Sequence, residues 1–328
     1  MTMTRRRGLT VIAAGLAAPF LPVRATTEAG AWPAHTITAI VPLSAGSTID
    51  VVARIVFDPL SRQLGQTIIC ENRAGAGGTI GAGLVARAAP DGHTLLINSS
   101  QHSVTPAAYP HAAFDVARDF AAVACLGSSP TVTVVSPARG FKTLADLVAA
   151  AKAKPGGFTY ATAGVGSATH LSTERLRHAA GFAGVHVPFR GMPEALTEVM
   201  TGRVDFSGSS IAASLPLIRQ GQLRALAVST PQRTPALPQV PTTIEAGYAE
   251  SDYTFWTGMF VPAKTPRDIV DRLHTETMRA LHAPGVQEKL KQQGIDPVQI
   301  SPVEFDAQIK REIASIQVLW KAADIRLN

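Results

Sequence analysis

The stretch ENRAGAGGTIGAGLVARAAPDGHTLL, residues 71–96, decides the fold class of this 328-residue chain. A strand-like end meets a turn with glycines at positions 75, 77 and 78, and the turn opens onto an alanine-rich helix. The helix stops at Pro90-Asp91-Gly92, and a second apolar strand follows. This order predicts a βαβ unit, the building block of parallel sheets covered by helices.

The same alternation recurs along the chain and predicts an α/β protein in which each of two lobes is a mixed, mostly parallel sheet flanked by helices. We expect residues 31–130 and 253–328 to form lobe 1 and residues 131–252 to form lobe 2, with two strand crossovers as a hinge. Residues 100–118 are predicted to be loop with one short helix. Separate strands are predicted at 121–125, 131–136 and 204–206.

The first 25 residues are predicted to be a signal peptide. Arg5-Arg6-Arg7 precede an apolar run that is too short to span a bilayer, and Val23-Arg24-Ala25 places small residues at −3 and −1 of a cleavage site. Twin-arginine and general secretory export both remain open. We expect export to the periplasm with cleavage near Ala25.

Charge argues against nucleic-acid binding. The chain has 30 basic and 24 acidic residues. Removing the four arginines of the signal segment leaves 26 basic residues against 24 acidic ones, a net charge of +2. No basic cluster with interleaved aromatic residues remains, so a nucleic-acid partner is not expected.

Motifs for catalysis, metals and cofactors are missing from the sequence. The dinucleotide fingerprint needs glycines at relative positions 0, 2 and 5, and both candidate turns lack the third glycine. There is no P-loop, nucleophile elbow, HExxH or CxxC motif, so we expect no enzyme, no metal and no cofactor. Cys70 and Cys125 are read as buried thiols, and a disulfide between them stays open in an oxidising compartment.

Ligands of open α/β sheets bind beyond the carboxyl ends of the strands, where the sequence offers a first candidate loop. Small residues there would let a ligand approach the backbone, and the helix that follows has free N–H groups suited to an anion. A capping box of Ser47 with Asp50 fits the same residues. The candidates are Ser44, Ala45, Gly46, Ser47, Thr48 and Asp50.

A second loop has the same form: strand, glycine-rich turn, hydroxyl-rich helix start. An ordinary turn with a serine cap is the alternative, in which His170 covers the helix end. The candidates are Gly164, Gly166, Ser167, Thr169 and His170.

Weaker candidates follow other strands. Asp205 and Ser207 are predicted at the end of the short strand 204–206, where a turn acid with capping serines is the alternative, and Ser99 and Ser100 are predicted just after the third strand. Arg190 is a candidate residue that would add positive electrostatic potential near the cleft. The alternative is that it belongs to a solvated turn.

Six blocks along the chain resemble the extracytoplasmic solute receptors of tripartite tricarboxylate transporters, the Bug family. The blocks, in order, are IVPLSAGSTIDVVAR (40–54), ENRAGAGGTIGA (71–82), AAPDGHTLL (88–96), YATAGVGSATHL (160–171), HVPFRGMPEALTEVMTGRVDF (186–206) and LRALAVSTPQRTPALPQVPTTIEAG (223–247).

The resemblance implies a two-lobed, type II-like Venus-flytrap fold in a monomeric periplasmic binding protein. It implies that N–H groups, hydroxyls and waters of residues 44–48 and 164–169 hold a small carboxylate, with Asp205 at the cleft mouth. It also implies delivery to large and small membrane permease subunits. Ser47 departs from the paired glycines usual in the family, so the ligand stays open.

Two other functions are compatible with the sequence. The protein is alternatively a ligand-sensing partner of a membrane sensor kinase, which gene neighbourhood would reveal. An enzyme using Ser167 and His170, three residues apart on one helix face, is the other alternative, although no acid is in place to orient the histidine.

Overall fold

The structure, a computed structural model, describes residues 32–189 and 191–322. The strands in this part of the chain are β1 (Ile37–Val41), β2 (Ile68–Asn72), β3 (Thr94–Ser99), β4 (Phe120–Val135), β5 (Thr159–Thr162), β6 (Val185–Pro188), β7 (Phe206–Ser210), β8 (Arg224–Val228) and β9 (Thr254–Pro262). The α-helices are α1 (Thr48–Leu64), α2 (Thr79–Ala86), α3 (Gln101–Ala108), α4 (Leu144–Ala153), α5 (Ala168–Ala180), α6 (Met192–Met200), α7 (Ile211–Arg219), α8 (Arg267–His282), α9 (Pro284–Gln292) and α10 (Pro302–Ala322).

The strands form one mixed sheet in the order β2-β1-β3-β9-β4-β7-β5-β6, and β8 also pairs with β4. The pairs β1–β2, β1–β3, β5–β6 and β5–β7 are parallel. The pairs that β4 and β9 make are antiparallel. The quoted stretch is the parallel unit β2–α2–β3, as predicted, with β1 inserted between its two strands.

Strand β4 joins the two halves of the sheet. Its residues from Phe120 to Pro130 pair with β9, and those from Thr131 onward pair with β7 and β8. Proline lacks an N–H for a continuous ladder, so its position at the change of partners is physically reasonable.

Helices cover both faces of the half that contains β5 and β7. Successive strand residues point to opposite faces. Tyr160 accordingly packs in one buried cluster with Leu147 and Leu176 of α4 and α5. Its neighbour Ala161 packs in another with Leu196 and Ile211 of α6 and α7.

Two expectations about the elements are wrong in detail. The strands predicted at 121–125 and 131–136 are one strand, because the polar stretch between them still pairs with β9. The strand predicted at 204–206 begins only at Phe206 and runs to Ser210, since its serines are buried ladder residues. The short helix expected within 100–118 is confirmed as α3, which has eight residues.

Within the described residues, no helix combines the length and apolar character needed to cross a membrane. The predicted signal peptide lies outside these residues. From Pro33 onward the chain packs as one compact unit, so the lobe boundaries at residues 130 and 252 stay a prediction.

Candidate functional site

Four helix N-termini meet at one cavity of about 240 Å³. Thr48 begins α1, Ser167–Thr169 lie at the start of α5, Met192 begins α6, and Ser210 with Ala212 lie at the start of α7. Among the described residues that line this cavity, none is Asp, Glu, Lys, Arg or His. Backbone amides and hydroxyls therefore supply the polarity here, and helix N-termini direct their positive dipole ends toward the space. We call this space the cleft cavity.

The first predicted loop reaches the cleft cavity through the start of α1. Ser47 is the N-cap residue, but its hydroxyl caps no amide and has no hydrogen-bond partner among the described residues. The backbone amides of Thr48 and Ile49 likewise have no partner in the described chain. The loop thus keeps unused donors at a helix end where Thr48 is exposed, so that a ligand or water can accept hydrogen bonds from them.

The capping box predicted for Ser47 and Asp50 is wrong. The carboxylate of Asp50 instead accepts hydrogen bonds from the Gly46 N–H at 2.9 Å, from Arg54 at 3.1 Å and from Asn72 at 3.0 Å. Burial acts to raise the pKa of Asp50, but these hydrogen bonds hold it below its usual value. Asp50 therefore fixes the loop as a carboxylate and does not line the cleft cavity, and neither do Ser44 and Ala45.

The second predicted loop is tied together internally. The Gly164 N–H donates to the Thr162 hydroxyl at 3.2 Å, and the Gly166 N–H donates to Nδ1 of His170 at 3.0 Å. The Ser167 hydroxyl donates to the Gly164 carbonyl and accepts from the His170 N–H. The glycine amides are therefore not free for a ligand, although both glycines had been predicted as ligand-binding residues.

The free amides of the second loop belong to the first turn of α5. In the described part of the chain, no partner accepts a hydrogen bond from the backbone amides of Ala168 and Thr169. Both residues line the cleft cavity. The hydroxyl of Thr169 also lies at the site, where it accepts from the Ala163 N–H at 3.1 Å.

His170 points away from the cleft cavity. It is buried, is not among the cavity-lining residues, and stacks on His186 with ring centroids 4.0 Å apart. Direct contact with a ligand, as predicted for this residue, does not fit this placement. The alternative, that His170 covers the start of α5, agrees with its bond to the Gly166 N–H.

Asp205 and Ser207 lie away from the loops. Because β7 begins at Phe206 and runs parallel to β5, Asp205 sits at the amino end of the strands, beside Thr159. Its carboxylate pairs with Arg139 and accepts from the Thr159 N–H at 2.7 Å. The Ser207 hydroxyl is buried and donates to the Ala161 carbonyl. The structure therefore supports structural roles for both.

We expect Asp205→Asn to destabilise the fold and leave ligand binding unchanged. Removing the charge weakens the pair with Arg139 and the bonds from Thr159, which should cost about 1–3 kcal/mol in the free energy of unfolding. Urea unfolding measures that loss, and titration with the bound carboxylate measures affinity. A changed ligand preference at unchanged stability would restore Asp205 to the binding site.

Of the remaining candidates within the described residues, Gly46, Ser47, Ser99 and Ser100 do not line the cleft cavity. Ser99 and Ser100 are buried at the carboxyl end of β3, where the Ser100 hydroxyl accepts from the Tyr253 hydroxyl at 3.0 Å. Arg190 lies outside the described residues.

Eleven of the fourteen lining residues are not among the site residues predicted from the sequence, and four of the eleven show why. Phe255 belongs to β9, Met192 begins α6, and Gln293 and Ile295 follow α9. Gln293 carries the longest polar side chain in the lining. No local motif marks these residues, since only the strand pairing brings them to the loops.

A second cavity of about 460 Å³ lies on the other face of the strands that join the halves. Thr254 lines it, whereas the next residue, Phe255, lines the cleft cavity, and adjacent strand residues face opposite sides. Arg175, Arg311 and Glu312 also line it. This second cavity, unlike the cleft cavity, is lined by charged side chains, and it is the alternative place for a ligand to bind.

Both cysteines are free thiols in the structure, so the disulfide between Cys70 and Cys125 that the sequence permits is not formed. Burial raises the pKa of Cys70 to about 11 and that of Cys125 to about 12, so neither is a reactive thiolate at neutral pH. Within the described residues, no group of three His, Cys, Asp or Glu side chains is placed to hold a metal ion.

Buried histidines should make the protein less stable in mild acid. Burial lowers the pKa of His102 to about 3 and that of His170 to about 4, below the unfolded value near 6.5. The unfolded chain therefore binds more protons, and the stability from the neutral rings is complete above about pH 6.5 and is lost as pH falls toward 4.

We expect the free energy of unfolding to fall between pH 6.5 and pH 5 by about 2 kcal/mol per buried histidine. Burial raises the pKa values of Glu312 and Asp296, which acts in the opposite sense, while burial also lowers the pKa of a third histidine, His186, to about 4. Urea unfolding at several pH values measures the slope. A flat profile would show that the buried rings already carry protons in the fold.

Comparison with known proteins was consistent across sequence and structure. The sequence profile described as "Tripartite tricarboxylate transporter family receptor" (TctC) matches residues 52–324. The chain is 35% identical to protein BugT of Bordetella pertussis over 318 residues, which are 95% of each chain.

Two solved structures from Rhodopseudomonas palustris are similar to this one. MatC, with bound malate, is 33% identical, with a TM-score of 0.72 over 88% of this chain and 99% of MatC. A second protein, with adipate, is 32% identical, with a TM-score of 0.76 over 90% of this chain and 99% of that one. The chain therefore belongs to the tripartite tricarboxylate transporter receptor family, with Bug proteins among its relatives, and has the two-lobed α/β fold of periplasmic binding proteins.

Proposed function

We propose that this protein is a periplasmic receptor that binds a small organic carboxylate in the cleft cavity, without altering it, and delivers it to a membrane permease. The single observation that carries the proposal is the meeting of unpaired amides from α1 and α5 at one cavity that has no cation among its described lining residues. Relatives solved with malate and adipate support a carboxylate ligand.

Backbone amides are sufficient to hold such a ligand. A hydrogen bond to an ionised acceptor contributes about 1.5–3 kcal/mol, roughly twice a neutral one. Thr48 on one side, and Ala168 and Thr169 on the other, line the cavity and offer such donors, and the unpaired amide of Ile49 lies next to that of Thr48 along α1. The cavity volume of about 240 Å³ falls below the range of about 300–1,000 Å³ typical of sites for drug-sized ligands, which favours a compact acid.

The two donor pairs lie in different predicted lobes, so one ligand would bridge them. α1 belongs to residues 31–130, and α5 and α7 belong to residues 131–252. Residues assigned to different predicted lobes also lie close together, since a Cβ added at Gly294 would lie 3.2 Å from the Cβ of Ala212. A ligand that contacts both sides stabilises the closed form by its difference in affinity for the open and closed states.

Delivery completes the proposal. The family is that of transporter receptors. We propose that the signal peptide directs the protein to the periplasm, that the mature chain acts as a monomer, and that the closed form docks on permease subunits.

A thermal-shift screen of the purified protein tests the ligand class. Malate, adipate and citrate are compared with their amide and alcohol analogues, which keep the size but lack the charge. A carboxylate at 100 times its Kd should stabilise the fold by about 2.7 kcal/mol. Equal stabilisation by the neutral analogues would contradict the proposal. So would the lack of any stabilisation by a broad panel of carboxylates, tested after the protein has been unfolded and refolded to remove bound ligand.

A further inference from the structure

Two stacked histidine rings lie directly behind the second loop. The imidazoles of His170 and His186 are nearly parallel, at 8°, with centroids 4.0 Å apart. His170 accepts the Gly166 N–H at 3.0 Å through Nδ1. Nε2 of His186 lies 2.6 Å from the Thr162 hydroxyl, which in turn accepts the Gly164 N–H at 3.2 Å. Each glycine amide of the loop is thus held, directly or through one hydroxyl, by one ring of the pair.

The hydrogen bond from the Gly166 N–H determines which tautomer the neutral ring of His170 adopts. Nδ1 can accept an N–H only when it carries no proton, so a neutral ring has its proton on Nε2. Nε2 lies 4.0 Å from the Glu174 carboxylate on the next turn of α5, beyond hydrogen-bond distance. Glu174 itself is buried and held by Arg177 at 2.9 Å and by the Tyr160 hydroxyl.

The proposed binding function gives these residues no contact with ligand. Neither histidine lines the cleft cavity, yet their partners Gly164 and Gly166 shape the turn that leads into Ser167 and α5. Gly166 has φ +73° and is held there in part by its bond to His170. A buried polar network with this many partners specifies one loop conformation more strongly than apolar packing would.

We propose that His170 is a positioning residue, which holds the loop 164–169 through the Gly166 N–H and so keeps the Ala168 and Thr169 amides aimed into the cleft cavity. This inference rests on the proposed function for its role in binding, but the loop contact itself exists without ligand. His186 supports it by stacking on the ring.

Two variants separate the hydrogen bond from the packing. His170→Asn places an amide oxygen near the position of Nδ1 and keeps an acceptor but loses the stacked ring. His170→Phe keeps a stacked ring but loses the acceptor. We expect the Gly166 amide to exchange with solvent about 5- to 10-fold faster in His170→Phe than in the wild type and to stay protected in His170→Asn.

The measurement is amide hydrogen exchange by NMR on the purified protein without ligand, together with ring ¹⁵N shifts that report the tautomer of His170. A proton on Nδ1, or equal protection of Gly166 in both variants and the wild type, would overturn the inference. Protection kept in His170→Phe but lost in His170→Asn would reduce His170 to a packing role and overturn it equally.

Malate and adipate titrations of the same proteins keep the two proposals apart. If the wild type binds either acid, His170→Phe should bind it about 10-fold more weakly and His170→Asn nearly normally. Affinity unchanged in His170→Phe, despite faster exchange, would overturn the role in binding. If the wild type binds neither acid nor any other carboxylate, the proposed function fails, while the exchange result still decides whether His170 holds the loop.

Discussion

The variant Ala168→Pro is expected to bind carboxylates about 10- to 100-fold more weakly than the wild type while its melting temperature stays unchanged. Ala168 is the first residue of α5, and its N–H is one of the free donors in the cleft cavity. Proline at this position removes that N–H and nothing else that the helix needs, because the first amides of a helix have no partner within it.

The backbone accepts proline at position 168. The preceding residue, Ser167, has φ −67° and ψ 160°, the extended conformation that a residue before proline prefers. Proline is common at the first position of natural helices. The loss in affinity can therefore be attributed to one missing hydrogen bond to a charged ligand.

The matched control is Arg267→Pro at the first position of α8, which lies outside the cleft cavity. Isothermal titration with the carboxylate found by screening compares the three proteins. Wild-type affinity in Ala168→Pro would mean that the α5 amide does not contact the ligand.

The variant Gly166→Val is expected to lose detectable binding, a decrease of more than about 100-fold, with a stability loss of about 1–2 kcal/mol. Gly166 has φ +73°, a left-handed conformation that valine adopts only with strain. The strain is relieved when the loop turns over, which breaks the Gly166 bond to His170 and redirects the amides that follow.

Gly202→Val controls for strain alone. Gly202 has φ +75°, in nearly the same conformation, and a Cβ added there meets no atom within 4 Å. It should lose similar stability and keep its affinity, as titration and urea unfolding will show. Binding by a folded Gly166→Val protein at wild-type strength would remove the second loop from the site.

The two loops were predictable because their signals are local. A strand, a turn with small residues and a hydroxyl-bearing residue before a helix mark residues 44–48 and 164–169, and the structure places the helix starts that follow at one cavity. The parallel unit around β2 was predictable for the same reason, since hydrophobic runs and glycines punctuate it.

The rest of the site depends on contacts between distant residues. Gln293 and Ala212 meet at the cleft cavity because the end of α9 packs on the start of α7, across about eighty residues of chain. The sequence predicts Asp50 to be a capping residue, yet Arg54 and Asn72 donate hydrogen bonds to its carboxylate. Asp205 was misplaced because the strand was expected to end at Phe206, whereas β7 begins at Phe206.

The most direct test of the central claim is a crystal structure of the protein with the carboxylate that stabilises it. We expect one carboxylate of the ligand within hydrogen-bond distance of the Thr48 or Ile49 amide and of the Ala168 or Thr169 amide, with no Lys or Arg side chain in contact. A ligand bound in the second cavity, with its carboxylate on Arg175 or Arg311, would contradict the account.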